Sequence, residues 1–184
     1  MRYSQDHKAQ TFQKIVKEAS ARFRRDGIGA TGLQPLMKAL GLTHGGFYAH
    51  FKSKDELVET ALRDAADESA ARASETFAQP NPLAAFIDRY LSKAHRENPA
   101  RGCPLPTMSA ELGQRGEPSA ITDEGVQRHL ARLASALDGP DVDEKSVMML
   151  SSMVGALMLS RSVKNPELSD RILDTVRETL KREA

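Results

Sequence analysis

The sequence predicts an all-α protein of about nine helices, in which an N-terminal three-helix unit, residues 1–52, is joined to a longer helical body, residues 53–184. Three observations predict it. Apolar residues recur at intervals of three and four almost throughout, no stretch keeps the strict alternation of a half-buried strand, and clusters of Gly, Pro and Asn/Asp interrupt the helical pattern.

Taken in order, Phe12, Ile15, Val16, Ala19 and Phe23 form the first stripe, which ends in the glycine-rich run "RDGIGATG" at residues 25–32. Leu33, Leu36, Met37 and Leu40 form a second, shorter stripe, and Gly41 stops it. Pro35 falls in the first turn of that helix, where amides have no intrahelical acceptor, so the ring is tolerated. Thr43 stands as an N-cap for a third short helix carrying Phe47 and Tyr48. Two short helices separated by a tight turn are the layout of a helix-turn-helix. Gly45 and Gly46 each cost a helix roughly 0.5 to 1 kcal/mol relative to alanine, but bare backbone there lets a helix N-terminus approach a phosphate or a groove wall closely.

Ser53 and Glu56 stand three apart as a capping box, with the hydroxyl expected on the Glu56 amide and the carboxylate on the Ser53 amide. Leu57, Ala61, Leu62 and Ala65 continue from it into a helix reaching Phe77, long enough to connect two lobes. Further stripes follow at Leu83, Phe86, Ile87, Tyr90 and Leu91, and at Ile121, Val126, Leu130, Leu133 and Leu137. Residues 143–162 are apolar around much of their circumference, more than one buried face requires, so a second helix must cover them. Residues 167–182 add Leu168, Ile172, Leu173, Val176 and Leu180.

Composition narrows the function classes. The net charge of +1 is divided unevenly: residues 1–57 hold ten Lys/Arg against five Asp/Glu, whereas residues 58–184 hold sixteen against twenty. A basic first third on an acidic body is the charge pattern of a nucleic-acid-binding region attached to a second functional unit. No run of 18 apolar residues and no signal-peptide core occur, which excludes a membrane partner and places the chain in the cytoplasm. One cysteine, Cys103, and five scattered histidines give neither an intramolecular disulfide nor a metal-ligand cluster, and no cofactor motif is present.

Across residues 8–60, and most specifically in "GLTHGGFYAHFKSKDEL", the sequence resembles the DNA-binding region of TetR-family transcriptional regulators. Gly41, Thr43, Gly45, Tyr48, His50, Phe51, Ser53, Lys54 and Leu57 fall at family positions. The resemblance implies that Thr31, Tyr48, His50 and Lys54 contact phosphates of a double-stranded operator, while Thr43 and His44 face base edges and Gly45 permits close approach. Gly32 and Pro35 depart from the family pattern in the second helix, where Gln34 is the side chain placed to reach DNA. With the glycines bare, part of the specificity falls to DNA shape.

For the C-terminal body the resemblance implies a domain that binds an effector and dimerises. Phe86, Tyr90, Met108, Leu112 and His129 are the candidates to line a small-molecule pocket. The final two helices would pair with those of a second copy, through Val147, Leu150, Met153, Val154, Gly155, Leu157, Ile172, Val176 and Leu180. Cys103 precedes Pro104, a residue favoured at the first helical position, so the thiol is expected at a helix N-terminus near Arg101, where thiolate is favoured. The segment is also similar to the start of helix 6 in N-ethylmaleimide-responsive repressors of the family, which makes Cys103 a redox-sensing candidate and an electrophile a candidate effector. The reading that results is a ligand- or redox-responsive homodimeric repressor of a palindromic operator. Two alternatives stay open: an architectural DNA-binding protein without effector, and a thiol-dependent enzyme using Cys103 with His95 or His129 as base.

Overall fold

A computed structural model describes residues 5–183; residues 1–4 and 184, at the outer ends of the two expected domains, lie outside the described residues. Ten α-helices follow one another without a strand among the described residues: α1 Gln5–Asp26, α2 Leu33–Ala39, α3 His44–Phe47, α4 Lys54–Phe77, α5 Pro82–Tyr90, α6 Lys93–Glu97, α7 Ala110–Gln114, α8 Ala120–Ala134, α9 Val142–Ser162 and α10 Pro166–Glu183. The helical reading of the sequence holds. The extra helix arises between residues 93 and 114, where proline and glycine break the chain into α6, a 3-10 turn at Pro99–Arg101, a π-helical turn at Leu105–Ser109 and α7.

Local chemistry sets the boundaries of the first four helices. Beyond α1, Gly27 takes φ +91°, a conformation that an L side chain rarely adopts, and its amide donates to the Phe23 carbonyl. α2 ends in a Schellman motif: the Leu42 amide donates to the Met37 carbonyl at 2.9 Å and the Gly41 amide to Lys38 at 3.0 Å, with Gly41 at φ +71°. Thr43 caps α3, its hydroxyl accepting from the Gly46 amide at 3.1 Å. Ser53 caps α4 as expected, but the Glu56 carboxylate accepts from the Lys52 amide at 2.6 Å, one residue before the Ser53 amide.

The chain buries two apolar cores, and α4 runs through both. In the first, Ile15, Ala19 and Phe23 of α1 pack against Leu36 and Met37 of α2, Phe47 and Phe51, and Leu57, Ala61 and Leu62 of α4. The Phe51 ring stacks between Phe12 and Phe47, with centroids 4.9 and 5.4 Å away. This core also takes Met108, Leu112 and Ile121 from the C-terminal body. In the second, Ala73 of α4 meets Leu83, Phe86, Ile87 and Tyr90 of α5, Leu133 of α8, Met149, Met153 and Leu157 of α9, and Leu173 and Leu180 of α10. At 24 residues α4 is about 36 Å long, so it forms a stiff link between the helix-turn-helix and the body.

Polar ties cross between the lobes. Arg24, buried in α1, donates to Glu68 of α4 at 2.9 Å and to the Gly102 carbonyl at 3.2 Å. Glu111 of α7 accepts from the Ile28 and Gly29 amides at 2.6 and 2.7 Å. Lys17 pairs with Asp64 and Glu68, both at 2.8 Å.

Candidate nucleic-acid interface and ligand cavity

α3 presents a short outward face because its inward residue is large and apolar. Phe47 is fully buried and holds the helix against the first core, leaving Thr43, His44, Gly45 and Tyr48 exposed beside it. Tyr48 is 58% exposed, yet its ring is held edge-on between His44 and Phe47, at 5.8 and 5.2 Å between centroids. No atom lies within 4 Å of a Cβ added at Gly45, so the backbone itself is accessible there. Gln34 is exposed on α2, as are Lys52 and Ser53 at the start of α4.

Three residues expected at phosphates are placed less freely. Thr31 is buried and its hydroxyl donates to the Gly27 carbonyl at 2.8 Å, so its side chain braces the turn after α1 and is not presented to a phosphate. Lys54 is half-buried and donates to the Ile28 carbonyl at 2.8 Å, which leaves two ammonium hydrogens for an external oxygen. His50 is half-buried, its Nδ1 has no hydrogen-bond partner, and burial followed by the charge of Lys8 holds its pKa below the usual value.

A cavity of about 290 Å³ opens between α4, α5, α6, the 3-10 turn and α8. Phe86, Tyr90 and His129 line it, together with Cys103. Met108 and Leu112 do not: both point into the first core, and the correction follows from the π-helical turn, which aims this stretch at α1 rather than at the cavity. The polar lining also includes Ser69, Arg72, Arg89, Ser92, His95, Asn98 and Arg101, none of which the sequence had assigned to a pocket.

Cys103 is likewise corrected. Its residue precedes Pro104 and the π-helical turn, the thiol is buried, and burial pushes its pKa up, opposed in part by the Tyr90 hydroxyl and the Leu105 amide. Thiolate is disfavoured here, contrary to the expectation from sequence. His95 bridges the same segment: Nδ1 lies 2.7 Å from the Tyr90 carbonyl, and Nε2 accepts from the Cys103 backbone amide at 3.1 Å. That pattern requires a neutral ring with its proton on Nδ1, in agreement with a pKa lowered to about 4 by burial. Both ring nitrogens are consumed by backbone groups, so His95 has none left to take a proton from the thiol. His129, also lowered to about 4 by burial, keeps an unpartnered Nδ1.

Residues 15–61 match the family described as bacterial regulatory proteins, tetR family. The transcriptional regulator TtgR of Pseudomonas putida is 34% identical over 86 residues, which span 45% of this chain and 40% of TtgR. A TetR regulator from Chloroflexus aurantiacus superposes with a TM-score of 0.78 at 22% identity, covering 95% of this chain and 96% of that one. The first third of the chain is similar to the DNA-binding region of TetR regulators, and the chain as a whole shares their fold. Escherichia coli NemR in its reduced form also shares the fold of this chain, with a TM-score of 0.76 at 17% identity over 94% of this chain and 96% of NemR.

Along α9 the apolar surface divides differently from the expectation. Leu150, Met153 and Leu157, assigned to a contact with a second copy, are buried in the subunit's own second core, as is Leu180 of α10. Val154, Ile172 and Val176 are partly buried against that core. What faces outward is Val147, Met148, Met158 and Leu159, between 38% and 57% exposed, with exposed Ser151 and half-buried Gly155 along the same stripe. Apart from the adjoining turns of α9 itself, nothing lies within 4 Å of a Cβ built at Gly155. Among the described residues no helix is long and apolar enough to cross a membrane, and no group of three His, Cys, Asp or Glu could hold a metal ion.

Proposed function

We propose that the protein is a homodimeric transcriptional repressor that reads a palindromic operator with α2 and α3 and releases it when a small molecule fills the cavity. One observation carries the reading: α3 is anchored by Phe47 from within while Thr43, His44, Gly45 and Tyr48 stand exposed together at its N-terminal end. Residues 1–52 then serve as the DNA-binding domain and residues 53–184 as the effector and dimer domain. Tyr48, His50 and Lys54 contact phosphates, with Lys52 adding charge at the same edge, and His44, Thr43 and Gln34 face the bases.

The apolar stripe Val147, Met148, Gly155, Met158 and Leu159 supports dimerisation through α9. Four large apolar side chains aligned on one face are covered when a second copy crosses there, and Gly155 allows close approach. Two helix-turn-helix units fixed relative to each other read two half-sites at once. An architectural role without effector is less well supported, because the cavity is formed and contains unpartnered polar atoms. A thiol-dependent enzyme is opposed by the neutral, buried Cys103 and the engaged His95.

Fluorescence anisotropy with operator DNA selected from a random pool tests the reading. Wild type is expected to bind an inverted repeat, and His44→Ala to change the sequence preferred. Equal binding to every sequence by wild type and variant would leave only a non-specific DNA affinity.

A further inference from the structure

The cavity carries a charge pattern that names its occupant more closely. Resting on the reading of this cavity as the effector site, we infer that its ligand is a small organic anion. It is a carboxylate on an apolar ring or short chain, with its body against Phe86 and Tyr90 and its charge among Arg72, Arg89 and Arg101.

The lining contains those three arginines and no Asp or Glu. Carboxylates outside the cavity compensate them poorly. Arg72 has Glu68 at 3.8 Å, but that carboxylate is already engaged by Lys17 at 2.8 Å and Arg24 at 2.9 Å. Among the described residues, no carboxylate lies within 4.0 Å of the Arg89 or Arg101 guanidinium. Arg72 Nη2 and Arg89 Nε are buried without a hydrogen-bond acceptor. Guanidinium hydrogens removed from water and left unmet are costly, and neighbouring like charges add to the cost. An anion filling the cavity removes both penalties, by pairing with the fork geometry of the guanidinium. Burial is the first cause holding Arg72 and Arg89 below their usual pKa, and the charges of nearby arginines add to it.

The interior selects for more than charge. Phe86 and Tyr90 are 1% and 3% exposed and meet with ring centroids 5.8 Å apart, and Phe86 lies under the Arg89 guanidinium at 5.6 Å. An apolar body therefore has an aromatic floor, and inorganic anions have nothing to cover it. His129 Nδ1 is buried without a partner at this floor, and the Tyr90 hydroxyl faces the Cys103 thiol beside it, which supplies polar contacts for a substituent on the ring or chain. A volume of about 290 Å³ sits at the lower end of small-molecule sites, so the anion is of single-ring or short-chain size.

The test uses the full chain and four probe pairs: benzoate, phenylacetate, hexanoate and octanoate, each with its neutral amide, and inorganic phosphate as a further probe. Affinity is read by titration calorimetry, and operator binding by anisotropy on the same samples. At least one carboxylate is expected to bind saturably, at least tenfold tighter than its amide and than phosphate. Arg89→Gln and the exposed Arg101→Gln are each expected to weaken it severalfold; Arg101→Gln guards against a folding defect at Arg89. The inference is overturned if no carboxylate binds, if amides or phosphate bind as well, or if both variants bind like wild type. Operator binding without carboxylate binding removes this inference and leaves the regulator. Carboxylate binding by a protein that binds no operator sustains it and removes the regulator.

Discussion

Arg24 of α1 donates from Nη1 to the Gly102 carbonyl at 3.2 Å, so a buried side chain of the helix-turn-helix unit holds the backbone that walls the cavity. Its second nitrogen donates to Glu68 of α4 at 2.9 Å, one turn from Arg72 in the cavity. A ligand that moves the segment at Gly102 and Cys103 must therefore move α1 or break this contact. Coupling between sites needs only differential contacts worth about 1 to 3 kcal/mol, within the range of one charged hydrogen bond and its ion pair.

Arg24→Gln is accordingly expected to lower stability by about 2 kcal/mol, because a nearly buried ion pair is broken, while leaving the α3 surface intact. Operator affinity of the folded variant should stay within about threefold of wild type, but its response to a cavity ligand should shrink by at least as much as the coupling energy. Denaturant unfolding and anisotropy with and without ligand measure both. An unaltered ligand response would show that the signal passes elsewhere.

Gly155→Arg is expected to give a folded monomer. Apart from the adjoining turns of α9 nothing lies within 4 Å of a Cβ at Gly155, so the fold accepts the new side chain. At a helix crossing with a second copy, the same guanidinium would be buried without a carboxylate, a loss of several kcal/mol. Sedimentation should report a dimer for wild type and a monomer for the variant, with an unchanged circular dichroism spectrum; a wild-type monomer at micromolar concentration would remove the α9 interface.

Acid should destabilise the protein through His95 and His129. Both have folded pKa values of about 4, below the 6.5 of an unperturbed histidine. Between these values the unfolded chain binds protons that the folded chain does not. Stability from these groups is therefore complete above about pH 6.5 and falls as pH drops toward 4, by roughly 2 kcal/mol per histidine at pH 5. Urea midpoints from pH 7.5 to 5 check this, and His129→Gln should remove about half of the slope. A flat profile would mean that neither ring is held neutral by burial.

Much of the helix-turn-helix was legible because its determinants are local. The Gly41 stop, the Thr43 cap and the Ser53 cap depend on residues within a few positions of one another, and the structure forms all three. The cavity was only half legible. Phe86 and Tyr90 sit on a helix stripe, but the convergence of Arg72, Arg89 and Arg101 depends on how three separate segments pack. Met108 and Leu112 carried the same apolar signal and went to the other core, since periodicity does not say which core a stripe faces. In α9 apolar residues surround the axis, so the pattern left its rotation open; packing turned Leu150 and Leu157 inward and Met158 and Leu159 outward.

Lys52→Ala and Tyr48→Phe should weaken binding to all DNA sequences alike, and Lys52→Ala should lower the salt slope by about one unit per lost phosphate contact in each subunit. Lys54→Met should also loosen the Ile28 turn, because the lysine is bonded there, so its loss of DNA affinity is expected to come with a lower thermal midpoint. Affinities measured from low to moderate salt separate the two. Identical salt slopes for wild type and Lys52→Ala would remove that lysine from the interface.

The most direct measurement is the selection of double-stranded DNA from a random pool by the full chain, followed by sequencing of what is retained. An inverted repeat is expected, with two half-sites spaced by about one helical turn or a multiple of it, and Gly155→Arg should fail to recover it. Recovery of no preferred sequence, or of a single unrepeated site bound equally well by Gly155→Arg, would contradict a dimeric operator-reading repressor.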